Sequence, residues 1–135
     1  MIQLSVLLED KPGELANFIK LLMDNKIFIR ALTVAKTSEY GLLLILVDKP
    51  EQCVDLLDEN NFTLTTTEVI AVRLNDNPNA LYEIPKTLGD NKINIDYFYS
   101  TLVKEEALLI LRIEDQIIEK ALNTLKEKGF TIVEK

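Results

Sequence analysis

The chain has no histidine, no tryptophan and a single cysteine among its 135 residues. Without histidine, Ser–His–Asp triads and most zinc sites are excluded. A lone cysteine forms no internal disulfide, and that usage fits a reducing cytoplasm, the expected compartment. Cys53 lies beside Gln52 and Val54, with Glu51 and Asp55 close by. A reactive thiol needs an electropositive setting, so Cys53 reads as a small buried apolar residue. Positive charge is scarce too: 15 Lys and Arg face 22 Asp and Glu, for a net charge of −7 and a pI near 4.6. Residues 1–68 carry 6 basic and 11 acidic groups, and residues 69–135 carry 9 and 11. Neither half offers the basic footprint that nucleic acid requires. No apolar run approaches the ~20 residues of a membrane span, and no signal peptide is expected ahead of the first strand. Neither nucleic acid nor a membrane is an expected partner.

What is present is an ordinary globular composition, 47% apolar and 27% charged, and an internal repeat. Asp10-Lys11-Pro12-Gly13-Glu14-Leu15 returns in altered form as Asp76-Asn77-Pro78-Asn79-Ala80-Leu81, 66 residues later counted from Asp10 to Asp76. Asp24-Asn25-Lys26-Ile27 returns unchanged as Asp90-Asn91-Lys92-Ile93, and Leu42-Leu43 as Leu108-Leu109. Self-similarity of this length means two copies of one supersecondary unit.

Within each copy the periodicity is legible. Ile2, Leu4, Val6 and Leu8 alternate with Gln3, Ser5 and Leu7, a strand with one strongly apolar face, and Ile70, Val72 and Leu74 keep the phase. Leu15, Phe18, Ile19, Leu22 and Met23 fall at helical spacing, with Asn25 as the stop. Strands are expected at 27–35 and 42–47, turning around Thr37, Ser38 and Glu39. A helix at 50–57 and a strand at 62–67 complete the copy. The second copy predicts helices at 81–90 and 116–128 and strands at 94–103, 108–113 and 131–134, with Gly129 closing the last helix. Each unit is β-α-β-β-α-β, so the expected fold is α+β: two tandem ferredoxin-like modules, residues 1–68 and 69–135, with antiparallel sheets and helices on one face.

Many functions use this topology, so the site must decide. An RNA-recognition surface would display aromatics in basic surroundings. Tyr97 and Tyr99 lie in an acidic chain, and the first copy has Ala31 and Thr33 there. The first loop carries neither a Cys-x-x-Cys metal motif nor a phosphate-cradling arginine. No carboxylate pair forms a recognisable acid–base constellation, so neither catalysis nor a cofactor is expected.

The Asp-x-Pro loop remains. Pro12 has a preset φ and suits the first turn of a helix. Gly13, Glu14 and Leu15 then offer backbone N–H groups at the positive end of the helix dipole, a seat for a carboxylate. Asp10 offers a negative charge to an ammonium group. A free amino acid carries both complementary charges. The competing reading is that Asp10 caps the helix.

On these residues the chain resembles the ACT-domain family, over essentially its whole length. Asp10-Lys11-Pro12-Gly13-Glu14-Leu15 is similar to that family's Asp-x-Pro-Gly-x-Leu loop. Asn94-Ile95-Asp96 resembles the Asn-Ile-Asp run on the second strand of the ACT modules of aspartate kinases. The resemblance implies a freestanding tandem protein that binds a small amino acid near a module interface. It implies paired modules, a homodimer, and a regulated enzyme or transcription regulator as partner. The implied ligand-binding residues are Asp10, Lys11, Pro12, Gly13, Glu14 and Leu15, with Asp76, Asn77, Asn79, Ala80 and Leu81 in the second copy, and Asn94, Ile95 and Asp96.

The second copy departs from the pattern. Asn79 replaces Gly13 and is expected to tolerate positive φ. Pro85 stands inside a helix, where Ile19 stands in the first copy, and Gly89 weakens that helix further. Arg30, isolated on a strand edge, reads as a surface residue. The alternative function is an oligomerisation module without a ligand. It is suggested by the run 42–47, apolar at every position, as in a strand covered on both faces.

Overall fold

The computed structural model describes residues 1–36, 40–74, 77–101 and 105–134. The expected turn at Thr37–Glu39, together with Asp76 and the 102–103 end of the expected 94–103 strand, lies outside the described residues. The chain divides into two compact units, one formed by Ile2–Thr67 and the other by Glu68–Lys135 together with Met1.

In the first unit the elements run β1 (Ile2–Glu9), α1 (Glu14–Asp24), β2 (Ile29–Lys36), β3 (Tyr40–Val47), α2 (Pro50–Glu59) and β4 (Thr63–Glu68). The sheet order is β2-β3-β1-β4. β1 and β3 are antiparallel neighbours, with Leu4 opposite Ile45, Val6 opposite Leu43 and Leu8 opposite Gly41. Alternation therefore sends Leu4, Val6, Leu8, Leu43, Ile45 and Val47 to one side. Phe18 and Leu22 of α1 and Cys53 and Leu57 of α2 join them in one core cluster, so both helices cover the same face. Each fully buried side chain of this size contributes about 1.5–3 kcal/mol. The Phe18 and Phe62 rings meet edge to face, centroids 5.4 Å apart. Leu44 and Leu46, on the other side of β3, are buried as well, in line with the apolar run.

The second unit repeats the plan with β5 (Ile70–Arg73), α3 (Ala80–Asp90), β6 (Tyr97–Ser100), β7 (Leu108–Arg112), α4 (Ile118–Glu127) and β8 (Ile132–Val133), in sheet order β6-β7-β5-β8. Ile70, Val72, Leu109 and Leu111 pack with Ile84, Leu88, Ala121 and Leu125. The repeat changes length here. Leu22 and Leu88 are 66 residues apart, whereas Cys53 and Ala121, equivalent core positions, are 68 apart. The two extra residues fall between β7 and α4, where the chain makes a three-residue 3₁₀ turn, Asp115–Ile117. Arg112 fastens it, donating to the Asp115 carboxylate and to the Glu68 carbonyl, each at 2.9 Å.

Three expected elements differ. The last helix begins as that 3₁₀ turn, β8 is two residues long, and β6 starts at Tyr97 rather than Asn94. β6 pairs with β7 from Tyr97, opposite Arg112, the last residue of β7. Upstream residues have no strand to pair with. Ile95 keeps the apolar phase by packing into the core, which made the segment read as strand.

All four helices end alike. Lys26, Asn61, Lys92 and Gly129 take positive φ, and the next residue donates back to the last turn, as in Ile27 N–H to the Leu22 carbonyl at 2.9 Å. These are Schellman closures. At three ends an asparagine reinforces them, Asn25, Asn60 and Asn91 each donating a side-chain N–H to a carbonyl four residues back, at 2.8 Å. Pro85 does not break α3, which runs unbroken from Ala80 to Asp90. The carbonyl it leaves without an intrahelical donor belongs to Leu81, an exposed residue. Among the described residues no helix is long and apolar enough to cross a membrane.

Candidate ligand site at the first strand-to-helix loop

β1 stops at Glu9 and α1 starts at Glu14, so residues 10–13 must turn the chain back over the sheet. Lys11 N–H donates to the Glu9 carbonyl at 3.0 Å and Glu14 N–H to the Lys11 carbonyl at 3.4 Å. Gly13 completes the turn at φ 90 and ψ −13 as the residue preceding the helix. A Cβ there would meet nothing within 4 Å. Glycine is required by the left-handed backbone, not by crowding. Gly13 brings no side-chain cap, and the N–H groups of Leu15 and Ala16 have no intrahelical acceptor at this end. The Asp10 carboxylate pairs with Lys36 Nζ at 3.2 Å. Lys11 is held between Glu9 at 3.1 Å and Glu14 at 3.6 Å. The Glu9 hydrogen bond, more than the added charge of Glu14, keeps its ammonium above the usual lysine value.

Strand register explains how Lys36 reaches this loop. Gly41 of β3 lies opposite both Leu8 of β1 and Lys36 of β2. All three face the helix layer, and Gly41 leaves an open gap between its neighbours. A groove of about 190 Å³ results, lined by Leu8, Glu9, Asp10, Lys11, Glu14, Leu15, Val34, Lys36 and Gly41. A larger groove of about 420 Å³ shares Leu8, Glu9 and Glu14 and continues past Tyr40, Asn60, Asn61 and Phe62. The larger space has carboxylates but no cation on its walls, so the smaller one is the better match to a zwitterion.

Of the expected site residues, Asp10, Lys11, Glu14 and Leu15 line the groove, while Pro12 and Gly13 shape its turn. Leu8, Val34, Lys36 and Gly41 were not foreseen. Lys36 ends the run Ala31–Ala35 of apolar and small residues in β2, which was the available signal, but only the three-strand register brings it to Asp10.

The second copy is built differently. Asn79 adopts φ −83 and ψ −15, a right-handed conformation, not the positive φ expected of it. The reason is Asn77, whose side-chain oxygen accepts the Asn79 N–H at 2.9 Å, while its carbonyl accepts the Ala80 N–H at 3.0 Å. This local turn replaces the glycine turn. The counterpart of Asn79 in the first loop is Gly13. Ala80 is buried in the core, and Leu81 is exposed. Asn94-Ile95-Asp96 lies ahead of β6 instead of on the second strand. Asn94 and Asp96 are exposed, and the Asp96 N–H donates to the Arg112 carbonyl at 2.9 Å. By sequence, the counterparts of Lys11, Lys36 and Gly41 are Asn77, Leu102 and Ala107.

Two βαββαβ units in tandem, each with a strand-to-helix loop opening its first helix, define a class of paired ferredoxin-like modules. The family model described as "ACT domain pair" matches residues 1–135, and the chain belongs to that family. Among solved structures, the chain is similar to a protein from Bacteroides thetaiotaomicron, with TM-score 0.87 and 28% identity, covering 98% of this chain and 90% of that one. It is also similar to the ligand-free regulatory subunit of aspartate kinase from Thermus thermophilus (TM-score 0.64, 15% identity, covering 95% and 92%). The regulatory subunit of aspartate kinase from Thermus flavus follows (TM-score 0.60, 13% identity, covering 93% and 90%). These last two show likeness of fold. No curated protein matches the sequence significantly.

Proposed function

We propose that the protein is a non-catalytic regulator, built of modules 1–68 and 69–135, that binds a small free amino acid at the Asp10 loop. Occupancy would alter its association with a regulated enzyme or transcription regulator. The observation that carries this reading is the meeting of Asp10 and Lys36, opposite charges 3.2 Å apart, on the rim of a groove beside a helix N-terminus. The similarity to regulatory subunits of aspartate kinase supports a regulatory role. Asn77, Asn79, Ala80 and Leu81, with Asp76, would form a weaker second site. Asn94, Ile95 and Asp96 are secondary candidates. The test is a thermal-shift screen against the twenty amino acids, because a ligand that binds only the folded state raises its stability with concentration. A concentration-dependent rise with one amino acid supports the reading, and no rise with any of them contradicts it.

A second reading, association between copies of the chain, is favoured by a separate observation. Met23 and Phe28 are 68% and 69% exposed, and their counterparts in the second copy are Gly89 and Asn94. Sedimentation at tens of micromolar, roughly the range in which a specific interface of modest affinity is populated, tests it. A homodimer that Phe28→Ser dissociates supports association through this surface, and a monomer contradicts it.

A further inference from the structure

We infer that the amino acid bound at this loop carries a small aliphatic side chain, and that Lys36 is the group that receives its carboxylate. This deepens the reading under Proposed function and rests on it. Three features lead to it. Leu8, Leu15 and Val34 give the groove hydrocarbon walls, against which an aliphatic side chain buries apolar surface. At about 190 Å³ the space falls below the roughly 300 Å³ at which drug-sized pockets begin, which suits a small side chain. The gap exists because Gly41 has no side chain in the row between Leu8 and Lys36, where an added Cβ would sit 3.9 Å from the Leu8 Cβ.

The charges fix the orientation. Lys11 is held by Glu9 and Glu14, whereas Lys36 has Asp10 as its ion-pair partner, and both side chains are open to solvent. An exposed pair of this kind is weakly held. A zwitterion parts it by offering each member a new partner, its ammonium to Asp10 and its carboxylate to Lys36. The Leu15 and Ala16 N–H groups at the helix start reinforce the carboxylate end. An acidic side chain would meet the repulsion of Glu9 and Glu14.

Calorimetry on the full chain with L-valine, L-leucine, L-serine, L-aspartate and L-lysine tests the inference. L-Valine or L-leucine should bind at least tenfold more tightly than the polar and charged three. Lys36→Met keeps the length of a solvent-exposed side chain, so folding is not at risk, and it should weaken that binding at least tenfold while Lys36→Arg retains it. L-Leucinamide, which lacks the carboxylate, should bind weakly to the wild type and lose nothing further in Lys36→Met. Gly41→Val, with an unchanged circular dichroism spectrum, should abolish binding by filling the gap. Tighter binding of serine, aspartate or lysine that still depends on Asp10 would overturn this inference and leave the proposed function standing. Aliphatic binding unchanged in Lys36→Met would overturn the carboxylate assignment. No binding by any amino acid would overturn both readings together.

Discussion

The two strand-to-helix turns correspond in sequence and differ in construction. The first uses Gly13 at positive φ. The second uses the Asn77 side chain to hold the turn from within and keeps Asn79 right-handed. The scaffold around them is the same: equivalent core positions, the same sheet order, the same Schellman closures. The two units thus keep equivalent core positions and the same sheet order while their first loops differ. The proposed site rests on a few residues, Lys11, Lys36 and Gly41, that contribute little to the core.

The largest effects should come from what the copies share. Phe18→Ala removes a ring from the first core and should cost about 3–5 kcal/mol, and Ile84→Ala at the equivalent position about 2–5 kcal/mol. Urea denaturation measures both. Similar losses would show that the two cores matter equally, and a loss below 1 kcal/mol at either would break the equivalence.

Next come the turns. Gly13→Ala forces a Cβ into the left-handed region and should cost about 1–2 kcal/mol. Asn79→Ala does not, because Asn79 is right-handed, and it should cost less than about 0.5 kcal/mol. Equal costs would mean that the two turns are alike after all. At the helix ends, Lys26 and Lys92 each sit at φ 59, so Lys26→Gly and Lys92→Gly should each stabilise by about 1 kcal/mol. A rise in thermal midpoint in both variants is the expected result.

The smallest difference is chemical. Burial, with a lesser contribution from Asp48, pushes the Cys53 thiol up to about 11, whereas Ala121 fills the equivalent position. Well below pH 8 the thiol is protonated in both folded and unfolded chains, so its contribution is constant there. As pH rises from about 9 to 11 the unfolded thiol ionises first, the unfolded chain binds fewer protons, and stability falls. Cys53→Ala should remove that part of the alkaline loss, and native Cys53 should resist alkylation at pH 8.

Much of this was legible in the chain. The 66-residue repeat, the alternation of Leu4, Val6 and Leu8 and the helical spacing of Phe18 and Leu22 are local patterns, and local patterns survive folding. The errors arose where a distant partner decides. β6 begins at Tyr97 because β7 ends at Arg112, and the alternation of Ile93 and Ile95 does not reveal where a neighbouring strand stops. The tolerance of Asn79 for positive φ is a local property, but Asn77 determines the turn. Lys36 is 26 positions from Asp10 in the sequence, and only the register through Gly41 closes that distance.

The central claim is that the first loop, and not the second, is the principal ligand site. Titration calorimetry of Asp10→Ala and Asp76→Ala with the amino acid selected by the thermal screen tests it most directly. Asp10→Ala should weaken binding by about 1–3 kcal/mol, the range for losing a charged hydrogen bond, and Asp76→Ala should change it by less than about 0.5 kcal/mol. Unchanged affinity in Asp10→Ala, or a larger loss in Asp76→Ala, would contradict the account.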